Sequence, residues 1–458
     1  MTYLRLRIAT ASFLTYNRGW FLAYSRFPAL SLLSFLLLVQ MNILAVIVTI
    51  ALVAIVFQQT CSVLFTWFAW RPKKEEIVDA DLPPALVLLP LRGADPFLSD
   101  GLGRLLRQDY PKYQVRIIID HREDPARAVV EKVLSETGAT NVEVTFLENP
   151  VETCTLRCSA LYQATENLPE DCGVVVTIDA DVMAHETWLR ELVAPLKDPA
   201  VGAAMGNRWY SPSTRKMASW IRYVWNAAAV VAMYYTKIPW GGGLAYRASL
   251  LREGDLRDGW LKAASEDVTL PAKLRKKHLK LVFVPSIISV NHEETDFAGC
   301  MRFIYRQLIW TRLHHAPGWW MSVFLHFLMA ILQLFAIGLA TVLAVQGEWL
   351  HAGILFGAVG FFMAVQVGLV FLIELNIRRF LIARGESGTR LRLVTILATL
   401  ICQFLTIPWL WRSLTIRRLE WRGIHYTLGD GAKIRMVEHI PFVDARADDG
   451  STKVVSSL

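Results

Sequence analysis

Charge is missing from long parts of this sequence. No Asp, Glu, Lys or Arg occurs between Arg26 and Arg71, and three later stretches, 319–346, 349–373 and 393–411, are equally uncharged. Charged residues make up only 19% of the chain against 54% hydrophobic, which excludes a disordered chain and argues against a wholly soluble one. Low-complexity tracts are absent. The six cysteines (Cys61, Cys154, Cys158, Cys172, Cys300 and Cys402) form no CxxC pair. Neither a zinc site nor a disulfide framework is suggested, and the polar part is expected in a reducing compartment. No GxGxxG follows the first predicted strand, and no GKS or GKT follows a glycine-rich loop, so a nicotinamide-type site and a P-loop are not expected. The net charge of +8 reads as positive-inside bias rather than nucleic-acid binding, and no nucleic-acid partner is expected.

Each uncharged run can supply a membrane span, which needs about 20 apolar residues. The first, 27–70, is too long for a cleavable signal peptide. It predicts one span near 42–67 preceded by an interfacial segment; a tight hairpin at 40–42 is the alternative. The other three are joined by short loops and predict a C-terminal cluster. RPKK directly follows the first run, and Arg378, Arg379, Arg384, Arg390 and Arg392 lie between the last two. Both clusters are expected on the cytoplasmic side. The prediction is a multi-pass integral membrane protein with its polar block on the cytoplasmic face. If 393–411 crosses fully, the basic tail 416–426 emerges on the other side; Pro408 also fits a re-entrant or interfacial segment. The expected organisation is an N-terminal interfacial segment and span (1–70), a polar domain (71–318), a transmembrane cluster (319–412) and a basic interfacial segment with a polar tail (413–458).

The polar block alternates short apolar runs with helical spacing. Strands are predicted at 85–91, 115–120, 142–147 and 174–179, with helices at 97–108, 126–135, 156–167 and 186–196. Four such units predict an α/β fold with a mostly parallel sheet covered on both faces. Ligands then bind outside the carboxyl ends of the strands. Asp120, Asp124, Asp179 and Asp181 all fall at such ends.

TIDADV (177–182) places two carboxylates one residue apart after a buried strand. Such a pair can hold Mg²⁺ or Mn²⁺ while the ion bridges a diphosphate; it can equally be a solvated turn. In EDPA (123–126), Asp124 and Pro125 fit a helix start, which at a strand end also faces the cleft. SED (265–267) reads either as a helix cap or as a source of a general base, Asp267. In RFIYRQLIWTRLHH (302–315), Arg302, Arg306 and Trp310 are one turn apart. Basic groups there suit a diphosphate leaving group, or a basic-aromatic belt at a membrane. WGGG (240–243) would let backbone approach a ligand closely, or simply turn the chain. The aromatic stretch 220–240 reads as a membrane-surface helix or a buried one.

Taken in order, EDPA, DAD, SED, RQLIWTRL and the tail WRGIHY (421–426) resemble the membrane-bound family 2 glycosyltransferases, most nearly the ceramide glucosyltransferase-type branch. The similarity runs from about residue 84 to 426. It implies a GT-A fold (a Rossmann-like, mostly parallel sheet) beside an α-helical transmembrane region, a UDP-sugar donor and inversion at the anomeric carbon. Residue by residue, it implies that Asp124 contacts the base and ribose region, Asp179 binds ribose and metal-diphosphate, and Asp181 binds the metal. Asp267 is the base, and Arg306 and Trp310 line the donor and acceptor site. Arg157 stands among the donor-binding residues where many members have Lys. It keeps the charge but not the geometry. Ile309 stands where the motif usually has Arg, which removes one leaving-group contact unless Arg302, Arg306 or Arg312 replaces it. Pro271 lies early in the helix after Asp267 and is expected to bend it.

The expected function is therefore metal-dependent transfer of a sugar, glucose first, from a UDP-sugar to a membrane lipid hydroxyl. Ceramide-like acceptors come first, then diacylglycerol or a hopanoid. A processive polysaccharide synthase is the alternative within enzymes; a transporter or non-catalytic membrane scaffold is the alternative outside them. The absence of ionisable groups inside the runs, His326 and His351 apart, counts against transport.

Overall fold

The structure is a computed structural model that describes residues 28–71, 77–429 and 433–442. The start of the expected interfacial segment, the RPKK lysines and the polar tail beyond 442 lie outside those residues. Helix α1 (Pro28–Ala69) runs unbroken through Gln40–Asn42, so the hairpin alternative does not hold. Then come β1 (Ala85–Leu91), α2 (Leu98–Leu105), β2 (Tyr113–Ile119), α3 (Ala126–Thr137), β3 (Val142–Phe146), α4 (Leu156–Ala164), β4 (Val174–Ile178) and α5 (Trp188–Val193). These are the four expected strand–helix units. The next part was not predicted in detail: β5 (Val201–Tyr210), α6 (Met217–Thr236), β6 (Gly243–Arg247), α7 (Ser249–Arg252), α8 (Asp255–Trp260), α9 (Leu270–Lys276) and β7 (Lys280–Asn291). The C-terminal part holds α10 (Phe297–His314), α11 (Ala316–Val345), α12 (Trp349–Ala383), α13 (Leu393–Thr415), and a small antiparallel sheet of β8 (Arg418–Trp421), β9 (Ile424–Leu428) and β10 (Ile434–Met436).

The main sheet has the order β3-β2-β1-β4-β6-β5-β7. Only β6 is antiparallel, to both β4 and β5. This is the mostly parallel α/β sheet expected from the sequence. Its central strands bury both faces, which is why β1 (ALVLLPL) and β4 (VVVTI) read as nearly continuous apolar runs. The chain moves outward from β1 through β2 to β3 and then crosses back to β4. The carboxyl ends of β1, β2 and β4 thus border a switch point, where such sheets open a crevice.

Four helical stretches are long and apolar enough to cross a membrane: Leu36–Ala69 within α1, α11, α12 and α13. The described chain divides into two compact units. One comprises residues 28–59 with 328–365. Its core interleaves Ala45, Val48 and Leu52 with Ala336, Ala340, Ala352 and Phe362, and the small residues let the helices approach closely. The other comprises 60–327 with 366–442 and contains the sheet. Within it, α12 continues past the expected run end at Ile373 and carries an ionisable side chain. Glu374 is fully buried and accepts hydrogen bonds from Trp209 Nε1 (3.0 Å) and Tyr223 Oη (2.9 Å). The chain on both sides of α13 is tied to the α/β framework. Before it, Arg384 donates to the carbonyls of Ser286 and Ile288 on β7. At its end, the carbonyls of Ser413 and Leu414 accept from Arg312 of α10. Helix α6, which corresponds to the aromatic stretch, buries Trp220, Ile221 and Tyr223 and exposes Tyr235 near its end.

Candidate active site

The cleft opens at the carboxyl ends of β1, β2 and β4 and holds about 1150 Å³ of space, part of it open to solvent. Asp179 and Asp181 lie just past β4, where the sequence places them. Arg208 on β5 bridges them: its Nη2 is 2.8 Å from Asp179 Oδ2 and 3.0 Å from Asp181 Oδ1. The second oxygens have fixed partners. Arg157 Nη1 lies 2.6 Å from Asp179 Oδ1, and Asn291 Nδ2 donates to Asp181 Oδ2 at 2.9 Å. Burial alone would raise the Asp179 pKa, but Arg157 and Arg208 outweigh it and hold that carboxyl below the usual range. For Asp181 burial dominates; Arg208 opposes it, the charge on Asp179 reinforces it, and the pKa is raised.

Arg157 sits in the first turn of α4. Its guanidinium also forks onto Glu266, with Nε to Oε2 at 2.9 Å and Nη2 to Oε1 at 2.8 Å. A lysine has no such fork, so the arginine here holds two acids at once.

Asp267 lines the same cleft. Its Oδ2 accepts from the Gly241 N–H at 2.8 Å. Its Oδ1 is buried and has no hydrogen-bond partner among the described residues. Burial first, then the charge of Glu266, pushes the carboxyl up to about 7. A carboxylate at that pKa with one free oxygen can accept a proton near neutral pH. Pro271 stands in the first turn of α9, after a separate 3₁₀ turn at Asp267–Thr269, where its missing N–H costs nothing. It bends no helix. The glycines of WGGG do serve close approach, but to the acids of the site: a Cβ at Gly241 would lie 2.2 Å from Glu266 Oε1, and one at Gly242 2.5 Å from Asp179 Oδ2.

On α10, Arg306, Gln307 and Trp310 line the cleft. Burial pushes Arg306 down to about 10. Ile309 is fully buried in the core. Arg302 is exposed, and Arg312 is turned to the end of α13, so of the three arginines considered for its place only Arg306 reaches the cleft. Three further cationic residues of the cleft were missed: Arg92 after β1, Arg208, and Arg422. Arg422 lies in the WRGIHY tail. Residues 422 and 423 form the turn between β8 and β9 with φ of 49° and 75°, the left-handed pair that a tight hairpin takes. The turn sets Arg422 against Arg92, with Arg422 Nη1 donating to the Arg92 carbonyl (2.7 Å) and Arg92 Nε to the Arg422 carbonyl (2.9 Å). In the same tail the Trp421 ring packs against Trp310 and Arg306, and Tyr426 Oη accepts from the N–H of Leu156 beside Arg157.

Asp124 is not among the residues lining the cleft. It is buried, and its carboxylate accepts from the N–H groups of Gly93 (2.9 Å to Oδ2) and Ala126 (2.8 Å to Oδ1), tying the loop after β1 to the start of α3. Asp120 does line the cleft. It pairs with Arg92 and, through Oδ1, with His439 Nε2 at 2.8 Å. Asp120, His121 and Asp124 bring one potential ligand atom each within 4.8 Å of one another. Their oxygens and ring nitrogens already have protein partners; His121 meets the Phe442 carbonyl and the Glu123 N–H. The oxygens of Asp179 and Asp181 have protein partners too, but two of them face one shared point, bridged by a single arginine nitrogen. That donor set suits Mg²⁺ or Mn²⁺.

A ceramide glucosyltransferase from Pyricularia oryzae is 35% identical over 79 residues, a stretch covering 17% of this chain and 16% of that relative. Among solved structures, a mannosyltransferase from Pyrobaculum calidifontis in complex with GDP-Man and Mn²⁺ aligns with 79% of this chain and 98% of its own, at 18% identity and a TM-score of 0.46. Glucosyl-3-phosphoglycerate synthase from Mycobacterium tuberculosis with Mn²⁺, UDP and phosphoglyceric acid aligns with 52% of this chain and 84% of its own, at 15% identity and a TM-score of 0.37. The model of glycosyl transferase family 21 matches residues 46–434, most of the chain, and the protein belongs to that family.

Proposed function

We propose that this glycosyltransferase is an inverting hexosyltransferase that moves a sugar, glucose first, from a UDP-sugar to the hydroxyl of a membrane lipid, with a ceramide-like acceptor first and diacylglycerol or a hopanoid next. Asp267 carries the proposal. It combines one anchored oxygen, one unpartnered oxygen and a pKa of about 7 in a cleft shared with Asp179, Asp181 and five arginines.

Asp267 Oδ1 takes the proton of the acceptor hydroxyl. The acceptor oxygen bonds to the anomeric carbon as the bond from that carbon to the diphosphate breaks, and the electron pair leaves with UDP. One displacement inverts the configuration. Arg92, Arg157, Arg208, Arg306 and Arg422 surround the diphosphate with positive charge, which is worth most in a cleft screened from water. Asp179 and Asp181 hold the divalent ion, which when bound lowers the charge of the leaving group. Trp240, Trp310 and Trp421 give apolar faces for the sugar and the acceptor headgroup.

The acceptor requires a bilayer beside the cleft. α1, α11 and α12 cross it, and α13 lies along its surface. The chain on both sides of α13 is fastened to the same α/β framework, which supports this placement and keeps the basic groups around α13 on one side. That side is the cytoplasmic one by the positive-inside rule.

The test is incubation of the purified protein with a panel of UDP-sugars, membrane lipid extract and Mg²⁺ or Mn²⁺, followed by mass spectrometry. A lipid carrying one added hexose is the expected product. Oligosaccharide in its place would move the reading to a polymer synthase. No metal-dependent binding of any nucleotide sugar would end it.

A further inference from the structure

In donor-binding sites built on two aspartates, the place between the carboxylates belongs to the metal. Here a side chain of the protein reaches into that place. Arg208 Nη2 is within 3.0 Å of one oxygen of each aspartate, while Arg157 and Asn291 hold the other two oxygens. Mg²⁺ binds oxygen ligands at about 2.0–2.1 Å. It cannot share those oxygens with a guanidinium nitrogen lying between them. Arg208 must therefore leave the bridge whenever the ion enters.

Its surroundings give it somewhere to go within the cleft. Arg208 lies over the ring of Trp240, 5.2 Å from its centroid, and its Nη1 is 3.3 Å from Tyr210 Oη. Neither contact involves the aspartates, so a guanidinium that releases them keeps partners in the cleft. The helix that usually brings a second arginine to the leaving group has Ile309 in that position, fully buried. The cleft thus has an arginine on β5 at the aspartate pair and, on α10, Arg306 but none at position 309.

We propose that Arg208 is a displaceable counter-cation. In the donor-free enzyme it neutralises the Asp179–Asp181 pair and competes with the divalent ion. When the ion and diphosphate arrive together, it moves onto the diphosphate and supplies the charge absent at position 309. The proposal rests on the reading of Asp179 and Asp181 as the metal pair. It makes metal and nucleotide binding mutually reinforcing, since each removes an obstacle to the other.

The experiment is a Mn²⁺ titration of the full-length protein, followed by electron paramagnetic resonance of free Mn²⁺, with and without UDP. In the wild type, UDP should tighten Mn²⁺ binding strongly. R208Q removes the competitor, so Mn²⁺ alone should bind about tenfold more tightly than to the wild type, because a resident competitor weakens apparent affinity by the fraction of time it occupies the site. In the same variant UDP binding at saturating Mn²⁺ should weaken by a similar factor. R208K keeps a charge but not the shared bridge and should fall between; it decides the matter if R208Q does not fold. Mn²⁺ affinity without UDP that is unchanged or weaker in the folded variant would overturn the role of Arg208. Absence of Mn²⁺ binding in the wild type even with UDP would overturn the metal pair itself, and this proposal with it.

Discussion

Two acidic clusters stand at neighbouring strand ends, and they differ in what holds them. After β2, Asp124 is bound by backbone N–H groups and Asp120 by Arg92 and His439. After β4, Asp179 and Asp181 share the long side chain of Arg208. Backbone donors cannot move without refolding a loop, whereas an arginine can rotate away. Asp124 is therefore read as framework, and Asp120 with it because two separate side chains hold its two oxygens. Asp179 and Asp181, the second cluster, share one arginine nitrogen and are read as a place that exchanges partners. Asp267 belongs with the second, because one of its oxygens is free.

The sharpest way to test that division is Asp267→Asn. A general base contributes about 10² to 10⁴-fold, so turnover should fall by that range while donor binding survives. Wild-type turnover would remove Asp267 as the base. In the unsubstituted enzyme, kcat/KM should rise about tenfold per pH unit up to about pH 7 and then level off. Stability should move the opposite way. A carboxyl whose pKa is raised on folding gives its contribution below the unfolded value of about 3.9 and loses it as pH rises through about 7. D267N does not ionise, so at pH 8 it should melt a few degrees above the parent. A melting temperature that falls instead would mean the amide is not accommodated.

Next in size is the contrast between Asp181→Ala and Asp124→Ala. Loss of a metal ligand should weaken Mn²⁺-dependent donor binding by about 100-fold or more, with little change in melting temperature. D124A should do the reverse. It leaves the Gly93 and Ala126 N–H groups without their acceptor, and about 1–3 kcal/mol of stability goes with each buried group left unpaired. Donor binding lost in D124A at unchanged melting temperature would erase the distinction and place Asp124 in the donor site, as the resemblance implies.

The sequence carried the parts of this arrangement that depend on local pattern. Buried strands ending in Asp120 and Asp179 follow from runs of Ile and Val, and SED and DAD could be located by motif order. What could not be read is non-local. Arg208 looks like any strand arginine until β5 pairs with β6 and β7 and brings it over the β4 end. Arg92 and Arg422 acquire their place only through each other, 330 positions apart. The tail motif was recognised, yet nothing in WRGIHY says that a tight turn delivers its arginine to the cleft. Asp124 reads two ways for a related reason: cap residues and ligand residues share the same chemistry at a strand end, and only the partner of each oxygen separates them. For α12, counting an uncharged run ended the segment at Ile373, whereas Glu374 continues the helix because Trp209 and Tyr223 donate to it.

The smallest effect is expected at the edge of the first cluster. His439 reaches Asp120 from beyond β10, and the neighbouring Ile440 and Phe442 carbonyls meet Arg92 and His121. His439→Ala removes one partner from Asp120 but leaves Arg92 in place. Asp120 is buried and keeps its pair with Arg92, and only the His439 end is partly exposed, so donor affinity should change by no more than about fivefold. Isothermal titration with UDP and Mn²⁺ measures it. If H439A weakens donor binding by tenfold or more, the segment after β10 contributes to the nucleotide's surroundings. Asp120 would then belong with the exchangeable acids, and the boundary between framework and site would run through the β2 cluster, between Asp120 and Asp124, instead of between the two strands.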